Sequence, residues 1–82
     1  MQPNIVKKLI ESGIPHCEAI VKGDDGVHFE ATIISDAFVG KNRIQKQQLV
    51  YQTLRDKIAD GSLHAISMKT FTTDEWQQQE NK

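Results

Sequence analysis

The spacing of apolar residues changes along the chain from helical to alternating and then back to helical. Apolar residues recur at helical spacing after a proline and stop before Gly13, which predicts an amphipathic helix over residues 3–12. Apolar and polar residues then alternate in two runs, 17–22 and 27–34, with the turn residues Gly-Asp-Asp-Gly at 23–26 between them. These runs predict two strands joined as a hairpin.

A second helical pattern covers residues 43–59 and follows a connector, 35–42, that has room for one helical turn. Five apolar residues of this helix fall within one sector of the helical wheel, namely Ile44, Val50, Tyr51, Leu54 and Ile58. Asp60 and Gly61 are typical of a helix end. The residues that follow, 63–70, predict a closing strand.

The residues after this strand match a helix start. Thr72 has Glu75 three residues later, which is the capping-box pattern, and Phe71 and Trp76 stand at the two positions of a hydrophobic staple. A short final helix is therefore predicted, with residues 77–82 as a polar tail that frays.

The predicted order is helix, strand, strand, helical connector, long helix, strand and helix. This order predicts an α+β fold (α-β-β-α-α-β-α) in a single domain of residues 1–82, with a three-stranded mixed sheet and helices packed on one face. The second and third strands flank a crossover helix, so they are predicted to be parallel and, if adjacent, about 4.8 Å apart.

Two histidines stand near the starts of the predicted parallel strands. His28 is near the start of the second strand and His64 opens the third, so both are expected at one rim of the sheet. Imidazole pairs suit metals such as iron, zinc, copper or nickel. Cys17 and His16 are further candidate ligands, but the chain lacks zinc-site spacing, so any remaining ligands are expected from another chain. The alternative, that each histidine only bonds a nearby backbone group, stays open.

Composition narrows the classes of function. The chain has 82 residues and a net charge of −1. It therefore lacks the overall positive charge with which many proteins attract nucleic-acid phosphates. A local basic group, Lys41, Arg43 and Lys46, leaves open a nucleic-acid regulator with a helix-turn-helix-like face, or else a merely solvated surface. A lone Cys17, predicted to be a small buried apolar residue, and the lack of a membrane-length apolar stretch indicate a cytoplasmic protein without membrane contact. Gly-rich phosphate or oxyanion loops are missing, so no enzyme is predicted.

Several stretches, in order and spacing, resemble the BolA-like family. They are Val27-His28-Phe29, Ser35 to Gly40 running into Arg43, Val50-Tyr51, His64-Ala65, Thr72 and Glu75-Trp76. Gln47-Gln48, with Ala65-x-Ser67-x-Lys69, is more similar to the IbaG (YrbA) branch than to members with a His-Arg pair at 47–48. This difference removes a basic residue from the helix that would face DNA.

The resemblance implies a fold similar to class II KH domains and a monothiol glutaredoxin as partner. It further implies a [2Fe-2S] cluster shared between the two chains, with His64 and His28 as this chain's ligands and the glutaredoxin cysteine and glutathione as the others. The implied function is cluster trafficking, iron homeostasis or stress response, without catalysis. An ordinary imidazole protonates near pH ~6.5, so such a cluster is expected to be acid-sensitive. Whether the isolated chain is a monomer or a homodimer stays open.

Overall fold

The structure is a computed structural model that describes residues 1–23, 25–26 and 28–80. Its helices and strands are α1 Pro3–Gly13, β1 Cys17–Lys22, β2 His28–Ser35, α2 Arg43–Thr53, α3 Arg55–Ala59, β3 Ala65–Phe71 and α4 Thr73–Glu80, with a 3₁₀ turn at Asp36–Phe38. Asp24 of the predicted turn and Val27, the predicted first residue of β2, lie outside the described residues. No helix of the described chain is long and apolar enough to cross a membrane.

The three strands form one sheet in the order β1-β2-β3. β1 pairs antiparallel with β2, as expected of a hairpin, and β2 pairs parallel with β3 across the α2–α3 crossover. The predicted α+β fold with a three-stranded mixed sheet is confirmed.

The core lies between one face of the sheet and the two helices α1 and α2. Alternation along β2 buries Phe29, Ala31 and Ile33 on this face and leaves His28 and Glu30 exposed on the other. The helices contribute fully buried side chains, namely Val6 and Ile10 of α1 and Val50 of α2. These two helices therefore share one side of the sheet, as predicted.

The predicted long helix is broken at Leu54, so a single helix over residues 43–59 is wrong. Leu54 has φ −110° and ψ 6°, and its N–H bonds the carbonyl of Tyr51, three residues back. The Thr53 hydroxyl also donates to the Val50 carbonyl at 2.6 Å, which competes with the regular helical ladder. The break directs the fully buried Leu54 into the core.

Three of the five apolar residues in this sector are exposed rather than packed in the core. Ile44 is 65% exposed, Tyr51 43% and Ile58 41%. Only Val50 and Leu54 of the five reach the core.

The final helix starts as predicted. Thr72 Oγ1 accepts the N–H of Glu75 at 3.2 Å, and Glu75 Oε1 accepts the N–H of Thr72 at 2.8 Å. The rings of Phe71 and Trp76 are 5.3 Å apart, which confirms the staple. The helix continues to Glu80, four residues into the predicted frayed tail, while residues 81–82 lie outside the described chain.

The position of α4 departs from the prediction that all helices pack on one face. Trp76 lines a depression together with Ile20, Thr32 and Lys69, which alternation places on the face opposite the core. The helix follows directly after β3, so the staple with Phe71 draws Trp76 toward the face on which Phe71 lies.

Side chains of α1 occupy the outer edge of β1. Lys7 Nζ donates to the Ala19 carbonyl at 2.6 Å, and Glu11 Oε2 accepts the Ala19 N–H at 3.0 Å. Lys7 and Glu11 are themselves paired at 2.8 Å. This arrangement satisfies backbone groups that an edge strand otherwise leaves to water or to another chain.

Candidate functional site

The register of β2 and β3 places the two histidines at the same rim. His28 is paired with Ala65 in the parallel register, and His64 is the residue immediately before Ala65. The predicted third strand, 63–70, is shifted to Ala65–Phe71, so His64 precedes the strand rather than opening it. The expectation that both histidines lie at one rim is confirmed.

His28 is held by the turn that precedes β2. Asp25 Oδ1 accepts the backbone N–H of His28 at 2.8 Å, and Asp25 Oδ2 lies 2.7 Å from Nδ1 of the same residue. The His28 side chain is nevertheless 72% exposed. The alternative of a purely backbone-bonded histidine therefore does not describe His28, since its ring contacts a carboxylate.

His64 is positioned by the segment that joins α3 to β3. Gly61 has φ +81°, a conformation that favours glycine, and the Asp60 carboxylate accepts the N–H of Ser62 at 2.8 Å. Hydrogen bonds from the Ser62 side chain and then from its backbone N–H lower the pKa of Asp60. Leu63 is buried and its N–H bonds the Lys57 carbonyl at 3.1 Å. His64 is thus an exposed residue directly after a buried anchor.

The two imidazoles line neighbouring depressions rather than a common one. His28 lines a depression with Asp25 and Ala65, whereas His64 lines a second one with Tyr51 and Ile58. Ala65 lines both depressions. Ile66, the next residue of β3, also lines both, so the two depressions adjoin along the start of β3.

The other candidate ligands lie elsewhere. Cys17 is the first residue of β1 and pairs with Ser35, the last residue of β2, so Cys17 and the preceding His16 are at the opposite end of the sheet from His28. Burial, and next the Glu11 carboxylate, raise the pKa of the Cys17 thiol to about 11. Cys17 packs against the core, but it is half-buried rather than buried as predicted.

The donor set of this rim is compatible with half of a shared metal site. Across the described residues, no group of three or more His, Cys, Asp and Glu side chains is arranged to hold a metal ion. Two exposed imidazoles at one rim supply neutral nitrogen donors but not a full coordination sphere. The two imidazoles of this rim therefore do not complete a metal site by themselves.

The predicted basic group lies at the start of α2. Lys41 and Arg43 are exposed, whereas Lys46 is mostly covered and lies 3.8 Å from Glu75. The Thr72 N–H is the main cause of the lowered pKa of Glu75, with Lys46 a smaller one. The segment before α2 is a three-residue 3₁₀ turn, too short for the first helix of a helix-turn-helix unit.

Sequence reasoning missed two residues near these candidates. Lys69 lines a groove with Arg43 and Lys46, because β3 runs beside the start of α2. The sequence predicts Asp25 only as a turn residue, although its position three residues before His28 is a local signal for a side-chain contact.

The chain matches a known protein family over most of its length. The family model described as BolA-like protein matches residues 8–75. The acid stress protein IbaG of Escherichia coli K12 is 37% identical over 93% of this chain and 89% of its own length. The DNA-binding transcriptional regulator BolA of Vibrio cholerae is 36% identical over 94% of this chain and 68% of its own length.

Among solved structures, a BolA protein homologue from Coxiella burnetii has the same fold. It superposes with a TM-score of 0.82 at 33% identity, covering 94% of this chain and 97% of the homologue.

Proposed function

Because the chain belongs to the BolA-like family, we propose that it is a non-enzymatic partner of a monothiol glutaredoxin. The two chains share one [2Fe-2S] cluster, to which this chain contributes His64 and His28. The cysteine and bound glutathione of the glutaredoxin contribute the other ligands. The shared cluster serves iron-sulfur trafficking, iron homeostasis or stress response.

The observation that carries this proposal is the placement of His28 and His64 at one rim by the parallel register. Both side chains are exposed, so a second chain can reach them without unfolding this one. Neutral imidazoles in place of thiolates lower the negative charge around a cluster and raise its reduction potential.

The name of the Escherichia coli relative, an acid stress protein, agrees with histidine ligation. A protonated imidazole cannot bind a metal, so acid competes with the metal for ligands of this kind. A cluster held through His64 and His28 is therefore suited to report a fall in pH.

Reconstitution of the cluster on a mixture with a monothiol glutaredoxin tests the proposal. The wild-type chain is expected to change the visible absorption and circular dichroism of the glutaredoxin cluster and to elute with it as a heterodimer. His64→Ala is expected to lose both effects. Unchanged spectra and an unchanged heterodimer in His64→Ala would show that the ligand assignment is wrong.

His16→Asn is the matched control. His16 is exposed, lies at the opposite end of the sheet and has φ +50°, a conformation that asparagine tolerates. This variant is expected to match the wild type in spectrum and elution.

We infer nucleic-acid binding as a second candidate function. Arg43 and Lys46 line one groove with Lys69, and the Vibrio cholerae relative is named as a DNA-binding regulator. Lys41 extends the basic surface at the start of α2. The net charge of −1 and the contact of Lys46 with Glu75 both weaken the field that phosphates would meet.

Fluorescence anisotropy with labelled duplex DNA tests this second candidate at low and at physiological salt. Affinity is expected to fall as salt rises and to fall further in Arg43→Glu and Lys69→Glu. Lys57→Glu is the control, because Lys57 lies on α3 outside this groove. Absence of binding at low salt would exclude the second candidate.

A further inference from the structure

Asp25 contacts His28 with both carboxylate oxygens. Oδ1 accepts the His28 backbone N–H at 2.8 Å, and Oδ2 lies 2.7 Å from the ring nitrogen Nδ1. The backbone N–H can only donate, so it determines which oxygen faces the main chain and which faces the ring. The contact is local, across three residues, and the Asp25 side chain is 54% exposed.

This geometry determines the tautomer of the imidazole. A carboxylate oxygen can only accept a hydrogen bond, so the nitrogen that faces it carries the proton. A neutral His28 ring therefore has its proton on Nδ1 and its lone pair on Nε2. Nε2 has no hydrogen-bond partner within the described chain, and the side chain is 72% exposed.

We propose that Asp25 is a positioning residue that reserves Nε2 of His28 for a metal. A carboxylate bonded to the second nitrogen of a histidine ligand sets the ring orientation and increases the basicity of the ligating nitrogen. That this metal belongs to a cluster shared with a glutaredoxin rests on the proposed function. The assignment of the nitrogen rests on the Asp25 contact alone.

Asp25→Asn separates the positioning role from a structural role in the turn. The amide oxygen of asparagine can still accept the His28 backbone N–H, so this hydrogen bond is retained. The amide nitrogen then faces the ring and can only donate, which requires the lone pair on Nδ1 and moves the proton to Nε2. The variant thus reverses the tautomer with little change in shape.

Two-bond ¹H–¹⁵N correlation NMR of the chain alone reads the tautomer directly. At about pH 8.5, where an ordinary imidazole is neutral, wild-type His28 is expected to show a protonated Nδ1 and a bare Nε2. Asp25→Asn is expected to show the reverse, while the signals of His64 stay unchanged. A wild-type proton on Nε2, or an unchanged tautomer in the variant, would overturn the proposal.

Binding of cluster-loaded glutaredoxin provides the second measurement. Loss of the group that hydrogen-bonds the second nitrogen of a ligating histidine lowers metal affinity by about 10- to 100-fold. Asp25→Asn is therefore expected to weaken heterodimer formation by at least about 10-fold. The same substitution in a His28→Ala background is expected to have no further effect, because the positioned ring is absent. An equal loss in both backgrounds would indicate a structural role for Asp25 and overturn the proposal.

The two hypotheses fail separately. If the wild-type chain does not bind loaded glutaredoxin, the proposed function is wrong, whereas the NMR result still decides whether Asp25 sets the His28 tautomer. If the heterodimer forms and the tautomer is not the predicted one, the proposed function stands and the role of Asp25 falls.

Discussion

His28 and Ala65 lie opposite one another in the parallel register of β2 and β3, and the residue before Ala65 is His64. The side chain of Ala65 also lines the depressions of both histidines. A larger side chain at Ala65 would therefore reduce the space in both depressions.

We expect Ala65→Leu to weaken formation of the cluster-bearing heterodimer by about 10-fold or more, because the cluster ligands of the two chains can no longer reach their positions. Stability should change little, since Ala65 is exposed. Size-exclusion chromatography and visible circular dichroism check this outcome. Lys69→Leu, four residues along the same strand, is the control, and an equal loss in that variant would contradict the prediction.

The Cys17 thiol should react slowly in the native protein. Its pKa is raised from 9.0 to about 11, so its thiolate fraction at pH 8 is about one hundredth of that of an ordinary thiol. Alkylation by iodoacetamide at pH 8 is expected to be slower in buffer than in urea by about this factor. Equal rates in the two conditions would show that burial does not protect the thiol.

Glu11 should make folding sensitive to acid. The hydrogen bond from Lys7 and then that from the Ala19 N–H lower its pKa below 4.5. A lowered pKa in the folded state stabilises the protein above about pH 4.5, and this contribution disappears as the pH falls through the folded-state pKa. We expect Glu11 to contribute about 1 kcal/mol or less to the free energy of unfolding at pH 7, since its side chain is partly exposed.

Urea unfolding at several values between about pH 7 and pH 3 measures this effect. Glu11→Gln is expected to be less stable than wild type at pH 7 and to lose less stability on acidification. Glu18→Gln, an exposed residue of β1, is the control and should follow the wild-type curve. Parallel curves for wild type and Glu11→Gln would contradict the assignment.

Gly13 should resist substitution by alanine. Replacing a helical glycine by alanine usually stabilises a protein by about 1 kcal/mol. At Gly13, however, the added Cβ would lie 2.5 Å from Thr53 Cγ2. Thr53 cannot rotate away without losing the bond from its hydroxyl to the Val50 carbonyl. We expect Gly13→Ala to lower the free energy of unfolding, measured in urea, by about 1–3 kcal/mol.

Thr53→Ser keeps the hydroxyl and removes the clashing methyl group. The cost of Gly13→Ala is therefore expected to be smaller in the Thr53→Ser background. A gain in stability from Gly13→Ala in the wild-type background would show that α1 and α2 separate freely at this point.

Local patterns predicted most of the elements. Alternation identified β2, and the Thr72–Glu75 spacing identified the start of α4. The break at Leu54 was missed, because the periodicity of residues 43–59 continues through it. What interrupts the helix is a side-chain bond of Thr53 and the depth of the core at Leu54, neither of which changes the hydrophobic pattern.

The candidate site was predicted in its location but not in its detail. The order of the elements was enough to place His28 and His64 at one rim, since parallel strands begin at the same edge. The contact with Asp25, and the way Lys69 joins Arg43 and Lys46, depend on the path of a turn and on the packing of β3 beside α2.

The sequence by itself determined the α+β fold, the parallel pair of strands and the rim that carries both histidines, because periodicity and connection order act through local geometry. The tertiary structure decided which apolar residues are buried and where the long helix breaks. These properties depend on distances of a few ångströms between side chains of different segments, and no repeat in one segment contains that information.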